Sequence, residues 1–125
     1  MNKHKFFICR HCGNLIGMIE SSGVPVVCCG EKMQELIPNT VDAAQEKHVP
    51  VLTKDGTELL VEIGAVAHPM TVEHHIAWIA VMQENKTVRV TLSPTGEPKA
   101  KFCVEDGPVT AYAYCNLHGL WAAAL

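Results

Sequence analysis

The chain has 125 residues, 48% of them apolar and 18% charged, and carries a formal charge of −3. That suffices for one ordinary domain, or for a small one joined to a medium one, and it lacks the basic footprint of a nucleic-acid binder. No apolar run approaches the roughly 20 residues of a membrane-spanning helix.

The opening stretch MNKHKFFICRHCG offers only FFI as an apolar run, too short for a secretory signal, so a cytoplasmic location is expected. In that compartment six cysteines argue for metal binding or catalysis over a disulfide framework. Three blocks follow one another. Residues 1–36 hold four of the six cysteines, and residues 37–47, IPNTVDAAQEK, read as a linker. Residues 48–125 hold five of the seven histidines, the other two cysteines and most of the strand-like pattern.

In the first block, Cys9 and Cys12 form C-x-x-C ahead of Gly13, and the adjacent pair Cys28-Cys29 precedes Gly30. Neighbouring Cα atoms sit about 3.8 Å apart, short of the roughly 4.4–6.8 Å of a relaxed disulfide. Successive side chains of a strand point to opposite faces. Cys28 and Cys29 can therefore share a metal only where the strand breaks, and Gly30, free to take a positive φ, marks such a break. Four thiolates suit tetrahedral zinc or iron, and a block this small needs such a staple. His4 and His11 read as surface residues. CxxCGN followed by VCCG resembles desulforedoxin, a small iron–tetracysteine domain, whereas a zinc ribbon would repeat C-x-x-C.

The second block reads as all-β. VPVLTKDGTELLVEIGAV places an Asp55-Gly56 turn between two apolar runs. Leu59, Val61, Ile63 and Ala65 alternate along the second arm. IAWIAVMQENKTVRVTL repeats the plan around Glu84-Asn85-Lys86, with Val88, Val90 and Leu92 alternating against Thr87, Arg89 and Thr91. SPTGEP and EDGP are turn clusters. VTAYAY and LWAAAL supply the last strands, although the Ala-rich tail also suits a helix. Short strands with regular turns predict a sandwich or barrel.

The histidines fall at predicted strand ends: His48 in EKHVP, His68 in AHPM, His74 and His75 in EHHIAW, and His118 with Cys115 in YCNLHG. Loops from one end of a sandwich converge there. Pro69 holds His68 extended, and Cys115 and His118 share one tight turn closed by Gly119. If His48, His68, His74, His118 and Cys115 grip one ion, five donors exceed the four of structural zinc. Imidazole suits iron, and an axial thiolate pushes electron density onto it, with one position left open. Trp78 and Trp121 read as core residues and Cys103 as a buried thiol.

EKHVP, AHPM and YCNLHG, behind the cysteine-rich start, resemble the desulfoferrodoxin, or superoxide reductase, family over nearly the whole chain. The resemblance implies an all-β protein with three segments: a desulforedoxin-like Fe(Cys)4 domain over 1–36, a linker over 37–47, and an immunoglobulin-like sandwich with an Fe(His)4Cys site over 48–125. It makes Cys9, Cys12, Cys28 and Cys29 the ligands of a first iron, and His48, His68, His74, Cys115 and His118 those of a second, catalytic iron. The family spacing selects His74 over His75, which is left to pack nearby. It also implies that superoxide is reduced to hydrogen peroxide, that rubredoxin-like carriers return the electron, and that the protein is a homodimer. Glu46 and Lys47 match the family's EKH pair. A Lys47 ammonium beside the open position would concentrate an anionic substrate, and a Glu46 carboxylate suits the sixth position of a ferric ion. The bland reading of both is a solvated loop. Two other readings stand beside the enzyme: a two-iron electron carrier without catalysis, and a zinc-stabilised binding module. For the first site, relaying electrons and holding the small domain together both fit.

Overall fold

The apolar segment after the N-terminus becomes strand β1 (Lys5–Ile8), paired antiparallel with β2 (Leu15–Met18) on one side. A two-residue hairpin, β3 (Val27–Cys28) with β4 (Glu31–Lys32), follows, and β5 (Gln34–Leu36) returns to the other side of β1. These strands form the first of two compact units, Met1–Ile37, in a computed structural model that describes residues 4–125. Among the described residues of this unit only Phe6, Ile8, Cys9 and Leu36 are buried apolar groups. So small a core is marginal without a cross-link or metal.

The second unit runs over Pro38–Leu125. It therefore includes residues 38–47, whose composition suggests a linker. Asn39 explains part of this. It donates through Nδ2 to the Ala122 carbonyl at 3.0 Å and accepts from the Ala122 N–H at 2.9 Å. Helix α1 (Gln45–His48) then leads into the sandwich.

That sandwich has two antiparallel sheets. One contains β6 (Pro50–Asp55), β7 (Glu58–Ile63) and β10 (Lys99–Cys103), in the order β10-β7-β6. The other contains β8 (Ile76–Gln83), β9 (Lys86–Thr91), β11 (Thr110–Cys115) and β12 (Gly119–Ala124), in the order β12-β11-β8-β9. Seven strands divided three and four make an immunoglobulin-like architecture. Leu59, Val61 and Ile63 of β7 and Phe102 of β10 meet Ile76, Ile79 and Val81 of β8 and Ala111, Ala113 and Cys115 of β11 in one core cluster.

Alternation holds in β7 as far as Ile63 and then stops. Gly64 turns to φ +86° and Ala65 is exposed, so the inward pattern does not extend to position 65. The Ala-rich tail is a strand, paired with β11 from Thr110↔Ala124 to Cys115↔Gly119. Cys103 is exposed rather than buried. It lies on an edge strand next to the inward-facing Phe102, and alternation sends its thiol outward.

One irregularity matters for the site. The β11–β8 register shifts between Tyr114 and Cys115, so that Tyr114 faces Trp78 and Cys115 faces Ile76, leaving Ala77 as the extra residue. Without this bulge Ile76 would point away from the face that Ile79 and Val81 share. The bulge restores Ile76 to the core opposite Cys115 and re-aims the chain into the loop that carries His74.

Candidate metal centres

The first group forms where two tight loops meet. After β1 the chain doubles back, with Cys9 N–H donating to the Asn14 carbonyl at 2.8 Å and Gly13 N–H to the Cys9 carbonyl at 2.9 Å. Gly13 permits this with φ +85°. Opposite it, Cys29 (φ +53°) and Gly30 (φ +76°) are the two loop residues between Cys28 and its partner Glu31. Positive φ at both loop positions is the type I′ pattern. It stops the strand at Cys28 and swings Cys29 onto the same side. The Sγ atoms of Cys9, Cys12, Cys28 and Cys29 all lie within 4.8 Å of one another, and no pair is joined as a disulfide.

The Cys12 and Cys28 sulfurs are 3.6 Å apart. A tetrahedron with metal–sulfur bonds of about 2.3 Å has edges of about 3.8 Å, so the spacing fits a four-thiolate ion. The thiols divide electrostatically. Hydrogen bonding from the Cys12 backbone N–H brings Cys9 down to about 6, while the Cys12 and Cys9 sulfurs push Cys29 up to about 12. Four thiolates at this range repel one another unless a cation sits between them. His11 is turned away from the sulfurs and pairs with Glu31 at the surface.

The second group is built by four separate segments. His48 closes α1, His68 follows the loop after β7, His74 lies in the loop before β8, and Cys115 and His118 flank the β11–β12 turn. Donor atoms of His48, His68, His74 and Cys115 lie within 4.8 Å of one another. His118 joins them, its Nδ1 3.2 Å from His48 Nε2 and 3.8 Å from Cys115 Sγ. His75 does not join. Its ring bonds the Thr71 carbonyl at 2.9 Å instead.

Tautomers decide what this cluster can hold. His48 Nδ1 lies 2.7 Å from the Ala44 carbonyl and His68 Nδ1 2.7 Å from the Pro69 carbonyl. A carbonyl only accepts, so both Nδ1 atoms carry the proton and both Nε2 atoms present lone pairs. Those Nε2 atoms face each other at 3.2 Å, an arrangement of two acceptors with no hydrogen between them. The buried His74 Nε2 has no hydrogen-bond partner. Lone pairs converging in this way are the signature of ligands held for a cation, with their other nitrogens fixed by carbonyls.

Charge points the same way. Burial lowers the pKa of His48 and His74 and brings His68 down to about 4, so all three rings are uncharged at pH 7. The Lys47 ammonium adds to the depression at His48 and His74. Its charge is therefore felt at the cluster although its side chain is exposed. Glu46 is also exposed and lies outside the converging donors. Burial raises the Cys115 thiol, opposed by the backbone N–H groups of Leu117 and His118.

Sequence reading treats Trp121 only as core. Its indole also stacks on His48 and donates to the His118 carbonyl. The large apolar side chain predicts that Trp121 is buried but carries no signal for which ring it covers.

Fold and donors together define a metalloprotein with a tetrathiolate knuckle in one unit and a histidine-rich, cysteine-bearing centre at one end of an immunoglobulin-like sandwich in the other. The desulfoferrodoxin family profile matches residues 40–124, and the chain belongs to that family. It is 44% identical over 121 residues to a desulfoferrodoxin of Syntrophotalea carbinolica, covering 97% of this chain and 96% of the relative. It is 41% identical over 122 residues to one of Nitratidesulfovibrio vulgaris, covering 98% and 97%. The superoxide reductase structure from Treponema pallidum superposes with a TM-score of 0.78 at 37% identity, covering 98% of this chain and 99% of that one. A one-iron superoxide reductase from Giardia intestinalis matches 64% of this chain and 97% of its own, with a TM-score of 0.56 at 35% identity. The family carries two iron centres, and this chain has two donor groups for them.

Proposed function

We propose that the protein is a superoxide reductase. Superoxide takes up one electron and two protons at the second centre and leaves as hydrogen peroxide. The observation that carries the reading is the convergence of donor atoms of His48, His68, His74 and Cys115 within 4.8 Å of one another, with His118 Nδ1 beside His48 and Cys115, and with the His48 and His68 Nε2 lone pairs facing each other at 3.2 Å. These five residues would hold the iron, which supplies the electron when bound, with a thiolate ligand enriching it.

The chain's own residues do the rest. Lys47 places a positive charge within reach of the centre on a protein whose formal charge is −3, and so raises the local concentration of an anionic substrate. Full burial of Cys115 keeps its sulfur away from bulk solvent. Glu46, one residue before Lys47 on α1, is the carboxylate suited to the oxidised centre. Cys9, Cys12, Cys28 and Cys29 would hold the first iron. The family resemblance of the sequence implies a rubredoxin-like carrier as electron donor, a homodimer and a cytoplasmic location.

The test is stoichiometric. Protein reduced and freed of excess reductant is mixed anaerobically with superoxide. One peroxide formed per second-centre iron oxidised, with no dioxygen evolved, is expected, and replacing Lys47 with Ala slows capture and flattens its salt dependence. Iron oxidation without matching peroxide would leave an electron carrier, and zinc at both centres would leave a binding module.

A further inference from the structure

Asn116 lies between Cys115 and His118 in the β11–β12 turn, and its side chain reaches across to the segment that carries His74. The His75 N–H donates to Asn116 Oδ1 at 2.8 Å, and Asn116 Nδ2 donates to the Glu73 carbonyl at 2.9 Å. The Asn116 backbone N–H adds a third bond, to the His75 carbonyl at 3.2 Å. The three bonds bracket His74 from both sides. They continue the β11–β8 pairing past its last partners, Cys115 and Ile76, with an amide side chain in place of the next peptide.

The rings of His48 and His68 are aimed by hydrogen bonds from their own Nδ1 atoms to carbonyls. For His74 the contacts are to the peptide. Thr71 holds it from within the loop, its Oγ1 accepting from the His74 N–H at 3.0 Å and its N–H donating to the His74 carbonyl at 2.9 Å. Asn116 holds it from the facing loop. Both polar ends of the Asn116 amide are matched, oxygen to N–H and nitrogen to carbonyl. Asparagine meets this pairing with one side chain, while aspartate lacks the donor and alanine lacks both groups.

We propose that Asn116 is a positioning residue that fixes His74 in register with Cys115 and His118, so that the two loops present one rigid half of the second centre. Because Asn116 is solvent-exposed, its bonds add little to global stability. Its effect falls on the spacing of the ligands. The inference rests on reading His74, Cys115 and His118 as ligands.

The experiment compares wild type with Asn116→Ala and Asn116→Asp as iron-loaded full-length chains. It reads iron per chain, the rate at which a chelator strips the second centre, the visible thiolate–iron absorption and the urea midpoint. The first centre, in the other unit, is the internal control. Asn116→Ala should keep the midpoint and the first iron, lose the second iron on the order of 10–100 times faster, and shift the second centre's absorption. Asn116→Asp, which keeps the acceptor for the His75 N–H but lacks the donor to Glu73, should fall between, and it decides the matter if the alanine variant does not fold. Two irons in wild type with unaltered release and absorption in the variants overturn the role of Asn116 alone. Wild type that holds iron only at the first centre overturns the ligand reading and this inference with it.

Discussion

The indole of Trp121 lies against the imidazole of His48, ring centroids 4.8 Å apart and planes 26° from parallel, while its Nε1–H donates to the His118 carbonyl at 3.1 Å. One fully buried side chain thus steadies two donors that are 70 residues apart in sequence. Replacing Trp121 with Phe keeps a ring against His48 but removes the donor. A loss of about 1–3 kcal/mol is expected for the carbonyl left unpaired, together with weaker retention of iron at the second centre. Replacement with Ala opens a cavity and should cost about 3–5 kcal/mol. Urea titrations with iron analysis measure both, and a Phe variant equal to wild type in both would reduce Trp121 to packing.

Gly64 sits where the chain leaves β7 towards His68. A Cβ there would lie 2.3 Å from the Val66 carbonyl oxygen and 2.7 Å from that of Lys47, at φ +86°. Both contacts are backbone and have no flexible end to move. Gly64→Ala is expected to cost at least the 1–3 kcal/mol or so of the left-handed conformation. It should also displace the loop bearing His68 from the helix bearing Lys47 and His48. The check is a melt combined with second-centre iron content, and a variant that holds both irons at full stability would contradict the close approach.

Cys115→Ser is nearly isosteric and sits opposite Ile76 in the core. The sandwich should persist while peroxide formation from superoxide is lost, because a hydroxyl does not replace an electron-donating thiolate. Circular dichroism reports the first outcome and peroxide assay the second. Wild-type rates from this variant would end the proposed role of the sulfur.

The buried imidazoles give a pH dependence of defined sign. Burial brings the His68 pKa to about 4 in the fold, against about 6.5 in an unfolded chain. Between those values the unfolded state binds more protons, so stability rises with pH. The contribution is complete above about pH 6.5 and disappears as pH falls towards 4. It amounts to about 3 kcal/mol from this residue, and the depressed His48 and His74 act in the same direction. Urea midpoints of the metal-free chain between pH 4 and 8 should show the slope, and a flat profile would mean these rings are hydrated.

At the first centre, Asn14 Nδ2 donates to Cys28 Sγ at 3.6 Å. A hydrogen bond to a ligating thiolate stabilises the reduced state of its metal by drawing off charge. Asn14→Ala should therefore lower the reduction potential of the first iron and leave the second unchanged. Redox titration followed at each centre's own absorption separates the two, and an unmoved potential would count against the bond.

Much of this was legible in the chain because local rules govern it. Apolar runs located β6 and β8, alternation located β7 and β9, the Asp55-Gly56 and Glu84-Asn85-Lys86 turns marked their hairpins, and Cys28-Cys29-Gly30 announced a strand that had to break. Cys103 was misread as buried because an apolar neighbourhood in sequence does not say which strand lies at a sheet edge. The segment at 37–47 reads as a linker in sequence, and the contact that ties its Asn39 to the sandwich, with Ala122, spans 83 positions.

By itself, then, the sequence determined which side chains can ligate and that they stand at strand ends, since spacing and alternation are properties of neighbouring residues. Only the tertiary structure decided which nitrogen each imidazole turns inward, through carbonyls at Ala44 and Pro69, and which groups hold the loops together, through Trp121 and Asn116. The physical reason is that a hydrogen bond or a ring stack depends on where two distant backbones meet in space, and that is settled by sheet pairing and the bulge before Cys115.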